Sequence, residues 1–297
     1  MDKDDFRVTR ILLDKYILQN DNEVIEAVTS GNVKKNGSII VGDKVRVKNS
    51  YDKYVIDKVL DRKNSLIRPP VANIDQMIIV ISIDNPTPDY MLLDKEIILS
   101  LSKNITPIIC VNKMDLVKEN NCDLEYIKEV YETLGLDVIY TSVSDENSIK
   151  LLKNKLYGKV SAFSGNSGVG KSSLTKKIVG EDRVVEVGEL TKKTNKGKHT
   201  TKHVELYTIC AETYILDTPG FSSYELYDIE HKELKNYYNE FLICKCDYDD
   251  CAHIVESSNV CDVKRKVDEG IIDKGRYERY AYIYAKLKEQ YDRRYKR

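Results

Sequence analysis

A glycine-rich segment in the second half of the chain has the residue types and spacing of a phosphate-binding loop. Residues 165–172 read Gly-Asn-Ser-Gly-Val-Gly-Lys-Ser, which fits G-x-x-x-x-G-K-[ST] at every position. The apolar run at 160–163 predicts a strand before the loop, and the run at 173–179 predicts a helix after it. This strand-loop-helix context is the one that the motif requires, so the segment predicts a nucleotide site.

The chemistry of this loop depends on its backbone and on two side chains. Glycines let backbone N–H groups turn towards the phosphates, and the following helix adds its partial positive charge. Lys171 is suited to the β- and γ-phosphates and to a catalytic role there, and the Ser172 hydroxyl is suited to Mg²⁺. The expected nucleotide contacts are Gly165, Asn166, Ser167, Gly168, Val169, Gly170, Lys171, Ser172 and Ser173.

A second segment indicates which base the nucleotide carries. Its residues are Asn112, Lys113, Met114 and Asp115. They follow an apolar run and so lie at the carboxyl end of a predicted strand, where ligands of open α/β sheets bind. The Asp115 carboxylate can accept hydrogen bonds from N1–H and the 2-amino group of guanine, a donor pair that adenine lacks. Asn112 is suited to the other edge of the base, the Lys113 stem to its face, and the amides around Ser142 to the guanine oxygen.

A third segment begins at Asp217, directly after another apolar run, and ends at Gly220. Asp217 would hold Mg²⁺ through water, and the Gly220 amide would face the γ-phosphate. The polar stretch at 197–201 is suited to a switch loop that orders on the γ-phosphate and Mg²⁺, with Thr200 or Thr201 as a second hydroxyl ligand of the metal.

The residue that follows Gly220 is Phe221, where many GTPases carry the glutamine that orients the attacking water. Phenylalanine cannot orient water, so hydrolysis depends on another group. His199, in the predicted switch loop, is the first candidate; it either positions the water or caps the loop. We expect slow intrinsic turnover that a partner accelerates by ordering the switch.

The order of these segments along the chain is rotated. The base-reading segment comes first, the phosphate loop second and the Asp217 segment last, whereas an ordinary GTPase starts with the phosphate loop and ends with the base reader. The rotation predicts a circularly permuted nucleotide-binding domain with room for further domains at both of its new ends.

A cysteine- and histidine-rich segment near the C-terminal end predicts a structural zinc site. Three thiolates and one imidazole form a closed set of four ligands that leaves no open position for catalysis. The predicted ligands are Cys246, Cys251, His253 and Cys261, with Cys244 as an alternative to Cys246. Seven cysteines without a signal peptide favour a reducing compartment, in which clustered cysteines bind metal more often than they form disulfides. We therefore expect a cytoplasmic protein.

The N-terminal part of the chain has the pattern of a small β-barrel. Short β-rich runs between residues 7 and 70 are separated by Gly, Asn and Asp turns, and residues 38–45 resemble the central hairpin of an OB-fold, whose strand face commonly binds oligonucleotides. Several cations could contact phosphate there, although scattered cations more often mark a solvated face. They are Lys34, Lys35, Lys44, Arg46, Lys48 and Lys53.

Beyond Phe221 the pattern becomes helical. We predict helices over 230–243, 263–269 and 276–297. Tyrosines recur at helical spacing in the last run, which indicates core packing, and its basic end is suited to RNA phosphate.

The chain resembles the RsgA (YjeQ) family of circularly permuted GTPases over nearly all of its length. The resemblance rests on residues 62–76, 112–115, 167–174, 198–201, 217–221 and the cysteine-histidine set. It implies a multidomain α/β protein with an OB-fold barrel over 1–70, a permuted P-loop GTPase domain over 71–227 and a helical zinc-binding domain over 228–297. It also implies GTP as substrate, Mg²⁺ and Zn²⁺, and hydrolysis that the small ribosomal subunit stimulates and that is coupled to late maturation of that subunit.

Composition sets the outer limits. A chain of 297 residues has room for two or three domains with their own cores. Hydrophobic residues make up 41%, and no apolar run is long enough to span a bilayer. Because the formal net charge is −1, contact with rRNA must come from local basic surfaces. We expect a monomer that has no membrane partner.

Two classes of function compete. The leading prediction is a GTP hydrolase that docks on rRNA through its end domains and is stimulated by the small ribosomal subunit. The alternative is a GTP-gated RNA-binding module with negligible hydrolysis, motivated by Phe221. A permuted GTPase that serves the large subunit or a membrane would explain neither the barrel nor the zinc module.

Overall fold

The computed structural model describes residues 5–13, 15–30, 33, 38–50, 53–180, 204–217, 226 and 228–295. Several residues that carry predictions lie outside these ranges. They are Lys34, Lys35, His199, Thr200, Thr201, Gly220 and Phe221.

The first five strands form a closed barrel. They are β1 (Asp5–Ile11), β2 (Tyr16–Gln19), β3 (Val24–Thr29), β4 (Lys44–Ser50) and β5 (Lys53–Val59). The barrel closes because β1 pairs with both β2 and β4, while β3 pairs with β5 in parallel. Side chains of β4 alternate between the interior and the outside of the barrel. Val45 and Val47 are 0% and 8% exposed, whereas Lys44 and Arg46, which alternate with them, are more exposed. The predicted small barrel is confirmed.

The middle of the chain forms a mostly parallel sheet with helices on its faces. Its strands are β8 (Gln76–Ser82), β9 (Thr106–Asn112), β10 (Asp137–Tyr140), β11 (Val160–Ser164), β12 (Glu205–Cys210) and β13 (Thr213–Asp217), after a short β6 (Ser65–Leu66) and β7 (Val71–Ala72) pair. Its helices are α1 (Tyr90–Ser102), α2 (Cys122–Tyr126), α3 (Glu146–Leu156) and α4 (Lys171–Val179). Val80, Ile109 and Ala162, from three adjacent strands, are completely buried in its core.

The order of strands in this sheet shows the permutation. The order is β10-β9-β8-β11-β13-β12, with the phosphate-loop strand β11 near the centre. Among these six strands, those that precede β11 in the chain lie on one side of it and those that follow lie on the other. If β11, β12 and β13 are counted as strands 1 to 3 and β8, β9 and β10 as strands 4 to 6, the order in the sheet is 6-5-4-1-3-2. The chain therefore enters this domain at the fourth strand of that count.

The barrel and the parallel sheet are joined edge to edge. Strand β1 pairs antiparallel with β12, which makes one sheet of 11 strands. Arg10 and Glu205 lie opposite each other at this junction and form an ion pair. The hydroxyl of Thr208 also donates to Gln19 at 2.5 Å. No local sequence pattern predicts this strand pairing.

The C-terminal part consists of short helices and one long one. They are a 3-10 helix (Leu234–Tyr237), α5 (Asn239–Leu242), α6 (Asp262–Asp268) and α7 (Lys274–Tyr295). The prediction of a single helix over 230–243 is wrong. Tyr238 has an extended backbone between the two short helices, and its ring is fully buried against Phe241 and Tyr280. Packing of this ring therefore overrides the helical pattern.

Buried ion pairs attach α7 to α1. The Asp94 carboxylate accepts hydrogen bonds from Arg276 and Arg279, and Arg276 also pairs with Glu240 at 2.5 Å. The Tyr131 hydroxyl donates to Asp94 at 2.9 Å. Burial alone would lower the pKa of Arg276, but the charges of Asp94 and Glu240 raise it above its ordinary value. Within the described ranges, no helix is both long and apolar enough to cross a membrane.

Candidate functional site

The phosphate loop connects the end of β11 to the start of α4, at the carboxyl edge of the sheet. Gly165, Gly168 and Gly170 have φ values of 122°, 82° and 99°, a region that favours glycine. A Cβ atom at Gly165 would collide with the Val80 carbonyl oxygen, and one at Gly170 would collide with the Asn112 amide. The loop therefore requires glycine for its backbone angles and for close packing against β8 and β9.

Asn112 braces the base-reading segment to the phosphate loop. It is the last residue of β9 and is 2% exposed. Its Nδ2 donates to the Val169 carbonyl oxygen at 2.9 Å, and its Oδ1 accepts from the Thr141 hydroxyl at 3.1 Å. A primary amide has two N–H donors, so one remains to face the edge of a base. The sequence pattern predicted a contact of Asn112 with the base and gave no signal for this brace.

The residues after Asn112 shape the pocket for the base. Lys113 has a left-handed backbone with φ of 64°, and its ammonium group donates to the Asn85 carbonyl oxygen. The Met114 amide donates to the Thr141 carbonyl oxygen at 3.1 Å, which ties this turn to the end of β10. Asp115 is exposed and accepts a hydrogen bond from the Ser142 hydroxyl at 2.5 Å.

The amides around Ser142 are already partly engaged. The Ser142 amide donates to Ser148 Oγ at 3.1 Å, and the Ser144 amide donates to Ser142 Oγ at 3.2 Å. Of the three amides from Ser142 to Ser144, only that of Val143 has no partner among the described residues. It is therefore the amide of this segment best able to face the guanine oxygen, and the Ser142 hydroxyl instead orients Asp115.

The side chains predicted to bind phosphate and metal come mainly from the loop and from the first turn of α4. The Lys171 ammonium group donates to the carbonyl oxygens of Gly165 and Asn166 at 2.5 and 2.6 Å. Ser172 and Ser173 are exposed in the first turn of α4, and Ser167 in the loop is exposed as well. Asp217 ends β13, which pairs in parallel with β11, so the two strands end at the same edge of the sheet.

The four predicted metal ligands come together between α5 and α6. Their ligand atoms, from Cys246, Cys251, His253 and Cys261, all lie within 4.8 Å of one another. The His253 Nδ1 atom is 3.6, 3.3 and 3.5 Å from the sulfur atoms of Cys246, Cys251 and Cys261. Tetrahedral bonds of about 2.3 Å to sulfur and about 2.0 Å to nitrogen place such atoms about 3.5 Å apart. The set therefore fits one tetrahedral ion.

Burial also shifts the pKa values of two residues in this cluster. Burial raises the pKa of the Cys251 thiol to about 12 and lowers the pKa of the His253 imidazole to about 4. Both groups are thus uncharged at neutral pH until a cation replaces the thiol proton.

Cys244 lies beside this cluster but faces away from it. Its thiol donates to the Glu240 carbonyl oxygen at 3.3 Å and accepts from Lys266 at 3.6 Å. The geometry therefore favours Cys246 over Cys244 as the fourth ligand.

Tyrosines of α7 hold the loop that carries His253. The Tyr277 hydroxyl donates to the His253 carbonyl oxygen at 2.7 Å, and the Tyr280 hydroxyl donates to the Ala252 carbonyl oxygen at 2.7 Å. The tyrosine repeat of the last helix thus packs inwards and also positions the metal loop.

The predicted cations of the barrel are partly balanced by acidic neighbours. Arg46 pairs with Asp5 at 2.9 Å, and Lys48 pairs with Asp57 at 2.9 Å. The charge on this face of the barrel is therefore less positive than the number of its lysine and arginine residues suggests.

A phosphate loop braced to a base-reading segment, in a sheet entered at its fourth strand, defines a circularly permuted guanine nucleotide-binding protein. A family model of RsgA GTPase matches residues 59–227. The small ribosomal subunit biogenesis GTPase RsgA of Caldanaerobacter subterraneus subsp. tengcongensis is 39% identical over 98% of this chain and 98% of its own. That of Bacillus cereus is 37% identical over 96% of this chain and 97% of its own.

Solved structures agree with these matches. The crystal structure of YjeQ from Thermotoga maritima has a TM-score of 0.82 and 33% identity, and covers 95% of this chain and 98% of that one. The structure of YloQ, described as a circularly permuted GTPase, has a TM-score of 0.80 and 30% identity, and covers 96% of this chain and 95% of that one. The chain belongs to the RsgA family of GTPases, and its activity is hydrolysis of GTP.

Proposed function

We propose that this protein binds the small ribosomal subunit, assists its late maturation, and hydrolyses GTP to GDP and phosphate under stimulation by that subunit. The observation that carries the proposal is the Asn112 brace, which joins a base reader and a phosphate loop in one site. The flanking barrel and Cys₃His cluster supply further surfaces for a large partner. The curated relatives are named for small ribosomal subunit biogenesis.

The residues of the site have separable roles in this reaction. Asp115 selects guanine, the Val143 amide faces its oxygen, and Lys171 turns from the loop carbonyls to the β- and γ-phosphates. Ser172 and Asp217, with Thr200 or Thr201, would hold Mg²⁺. When bound, Mg²⁺ offsets the negative charge on the phosphate oxygens. The Gly220 amide would face the γ-phosphate, and His199 is our candidate for orienting the water that attacks it.

The metal in the Cys₃His cluster is proposed to be zinc. Three thiolates and one imidazole at tetrahedral spacing suit zinc, and the closed set of protein ligands indicates a structural role. The surrounding domain is proposed to contact rRNA, together with the barrel. We also propose a cytoplasmic location, because free cysteines and a ribosomal partner both fit a reducing compartment. We keep the expectation of a monomer.

Phosphate release distinguishes this function from that of a GTP-gated RNA-binding module. Release of phosphate from GTP would be measured for the protein alone, with small subunits and with large subunits, and Lys171→Ala would give the background. Strong stimulation by small subunits alone is the expected result. Tight GTP binding without stimulation by either subunit would favour the binding module.

A further inference from the structure

A buried glutamate lies directly behind the phosphate loop. Glu96, in the middle of α1, is 1% exposed, and its Oε1 accepts a hydrogen bond from the Ser164 hydroxyl at 2.8 Å. Ser164 ends β11 and immediately precedes Gly165, the first residue of the loop. The other carboxylate oxygen, Oε2, is buried and has no hydrogen-bond partner among the described residues.

The space around this carboxylate belongs to the nucleotide site. Glu96 lines a small cavity together with Asp89, Gly165, Asn166 and Val169. The cavity has room for about one water molecule. A water molecule there could accept a hydrogen bond from the protonated carboxyl group of Glu96. Asp89, the N-cap of α1, accepts a hydrogen bond from Asn166 at 3.4 Å. The loop therefore lies against two acidic side chains, one inside α1 and one at its N-cap.

Ionised Glu96 would be costly here. A buried carboxylate that lacks a full set of donors is penalised, and bound phosphates would add negative charge on the other side of the loop. Burial raises the pKa of Glu96 to about 8, although the Ser164 hydroxyl, the Lys171 charge and the Gly165 amide oppose the rise; the Asp89 charge adds to it. Glu96 is thus mostly neutral at pH 7.

We propose that Glu96 is a positioning residue for nucleotide binding, which as a neutral carboxylic acid holds Ser164 at the start of the phosphate loop and keeps negative charge away from the bound phosphates. When Glu96 loses its proton, it repels the phosphates and competes with them for Lys171. This inference rests on the proposed guanine nucleotide site, but it requires neither hydrolysis nor a ribosomal partner.

The sign of the pH effect follows from proton uptake. If bound phosphates favour the neutral acid, binding takes up a proton wherever free Glu96 is ionised. Affinity is then constant well below the pKa of about 8 and falls above it, by up to about tenfold per pH unit. The groups that face Glu96 are Ser164, the Gly165 amide, Lys171 and Asp89.

GDP affinity, measured by calorimetry from about pH 7 to about pH 9, tests this proposal. The wild-type affinity should fall across this range, whereas Glu96→Gln, which keeps the shape of the neutral acid, should stay near the low-pH value. Glu129→Gln, at an exposed position, is the matched control and should follow the wild type. Glu96→Ala, which leaves Ser164 without its acceptor, should bind GDP weakly at every pH.

Three outcomes would overturn the proposal. The first is a Glu96→Gln profile that falls like that of the wild type, which would assign the titration to another group. The second is GDP binding by Glu96→Gln that is as weak as that by Glu96→Ala. The third is failure of Glu96→Gln to fold. Either of these would show that a neutral side chain of the same shape cannot support the phosphate loop. Because GDP alone is used, the result is independent of whether small subunits stimulate hydrolysis.

Discussion

In the proposed nucleotide site, the choice of base depends on Asp115. One oxygen of its carboxylate accepts a hydrogen bond from the Ser142 hydroxyl, and the residue is exposed. Asp115→Asn replaces an acceptor pair by one acceptor and one donor. Xanthine has a carbonyl oxygen where guanine has its 2-amino group, so the variant should prefer xanthosine nucleotides. We expect GDP affinity to fall by about 3 kcal/mol, roughly a hundredfold, because hydrogen bonds to charged groups are lost.

Competition binding with GDP and xanthosine diphosphate measures this change. Asp137→Asn is a matched control, since Asp137 is also exposed and pairs with Lys155 away from the site. Loss of GDP affinity without a gain for the xanthosine nucleotide would show that Asp115 acts on the fold of the segment instead of on the base.

Gly170 shows how close packing, and not only backbone angle, constrains the phosphate loop. Gly170 and Gly158 both have positive φ, at 99° and 68°, but a Cβ at Gly158 would meet nothing within 4 Å. Gly158→Ala should therefore lower the free energy of unfolding by about 1 kcal/mol through backbone strain alone. Gly170→Ala should lower nucleotide affinity at least about tenfold as well, because the methyl group displaces the Asn112 amide.

Nucleotide binding and urea unfolding of the two variants separate these effects. Equal losses of GDP affinity in both would mean that the Asn112 brace does not matter for binding.

Helix α1 is the element that links the nucleotide site to the C-terminal helices. One of its carboxylates, Asp94, is completely buried between Arg276 and Arg279 of α7. Removing one partner of a buried ion pair leaves uncompensated charge, so Asp94→Ala should lower the free energy of unfolding by about 3–5 kcal/mol. Asp137→Ala breaks an exposed pair with Lys155 and should cost less than about 1 kcal/mol.

Urea unfolding of both variants checks this contrast. A loss for Asp94→Ala as small as that for Asp137→Ala would contradict the view that buried charges attach α7 to α1. Because Asp94 forms no part of the nucleotide pocket, GDP affinity of the folded variant should remain near that of the wild type.

Sequence patterns predicted the elements whose signals are local. The phosphate loop, the base reader and the four metal ligands are each encoded within a short stretch, and so is the alternation that builds β4. Contacts between distant residues have no such signal. Asp94 and Arg276 form an ion pair although 182 positions separate them in the sequence, and Arg10 and Glu205 do so across a separation of 195 positions. The split of the predicted 230–243 helix has the same origin, because burial of the Tyr238 ring is decided by α7.

At the scale of the whole molecule, the barrel and the C-terminal part are attached to the nucleotide-binding sheet by different means. The barrel continues the sheet through β1 and β12. The C-terminal part is attached through the buried charges on α7, and α7 also holds the metal loop through Tyr277 and Tyr280. The proposed metal site, α7 and α1 therefore form one continuous set of contacts. This set reaches the phosphate loop through Glu96 and Ser164, whereas the Asn112 brace lies outside it.

Loss of metal should consequently destabilise the C-terminal part without abolishing nucleotide binding. Cys261→Ser removes a completely buried ligand, and we expect less than one bound zinc per chain and a lower unfolding temperature, by about 10 °C for a loss of a few kcal/mol. Cys244→Ser changes a neighbouring thiol that faces Glu240 and Lys266, so it should retain zinc and the wild-type unfolding temperature. Zinc released on denaturation, thermal unfolding and GDP affinity would be measured for both. Zinc loss in Cys244→Ser would show that Cys244 is a ligand, and loss of GDP binding in Cys261→Ser would show that the metal cluster also supports the nucleotide site.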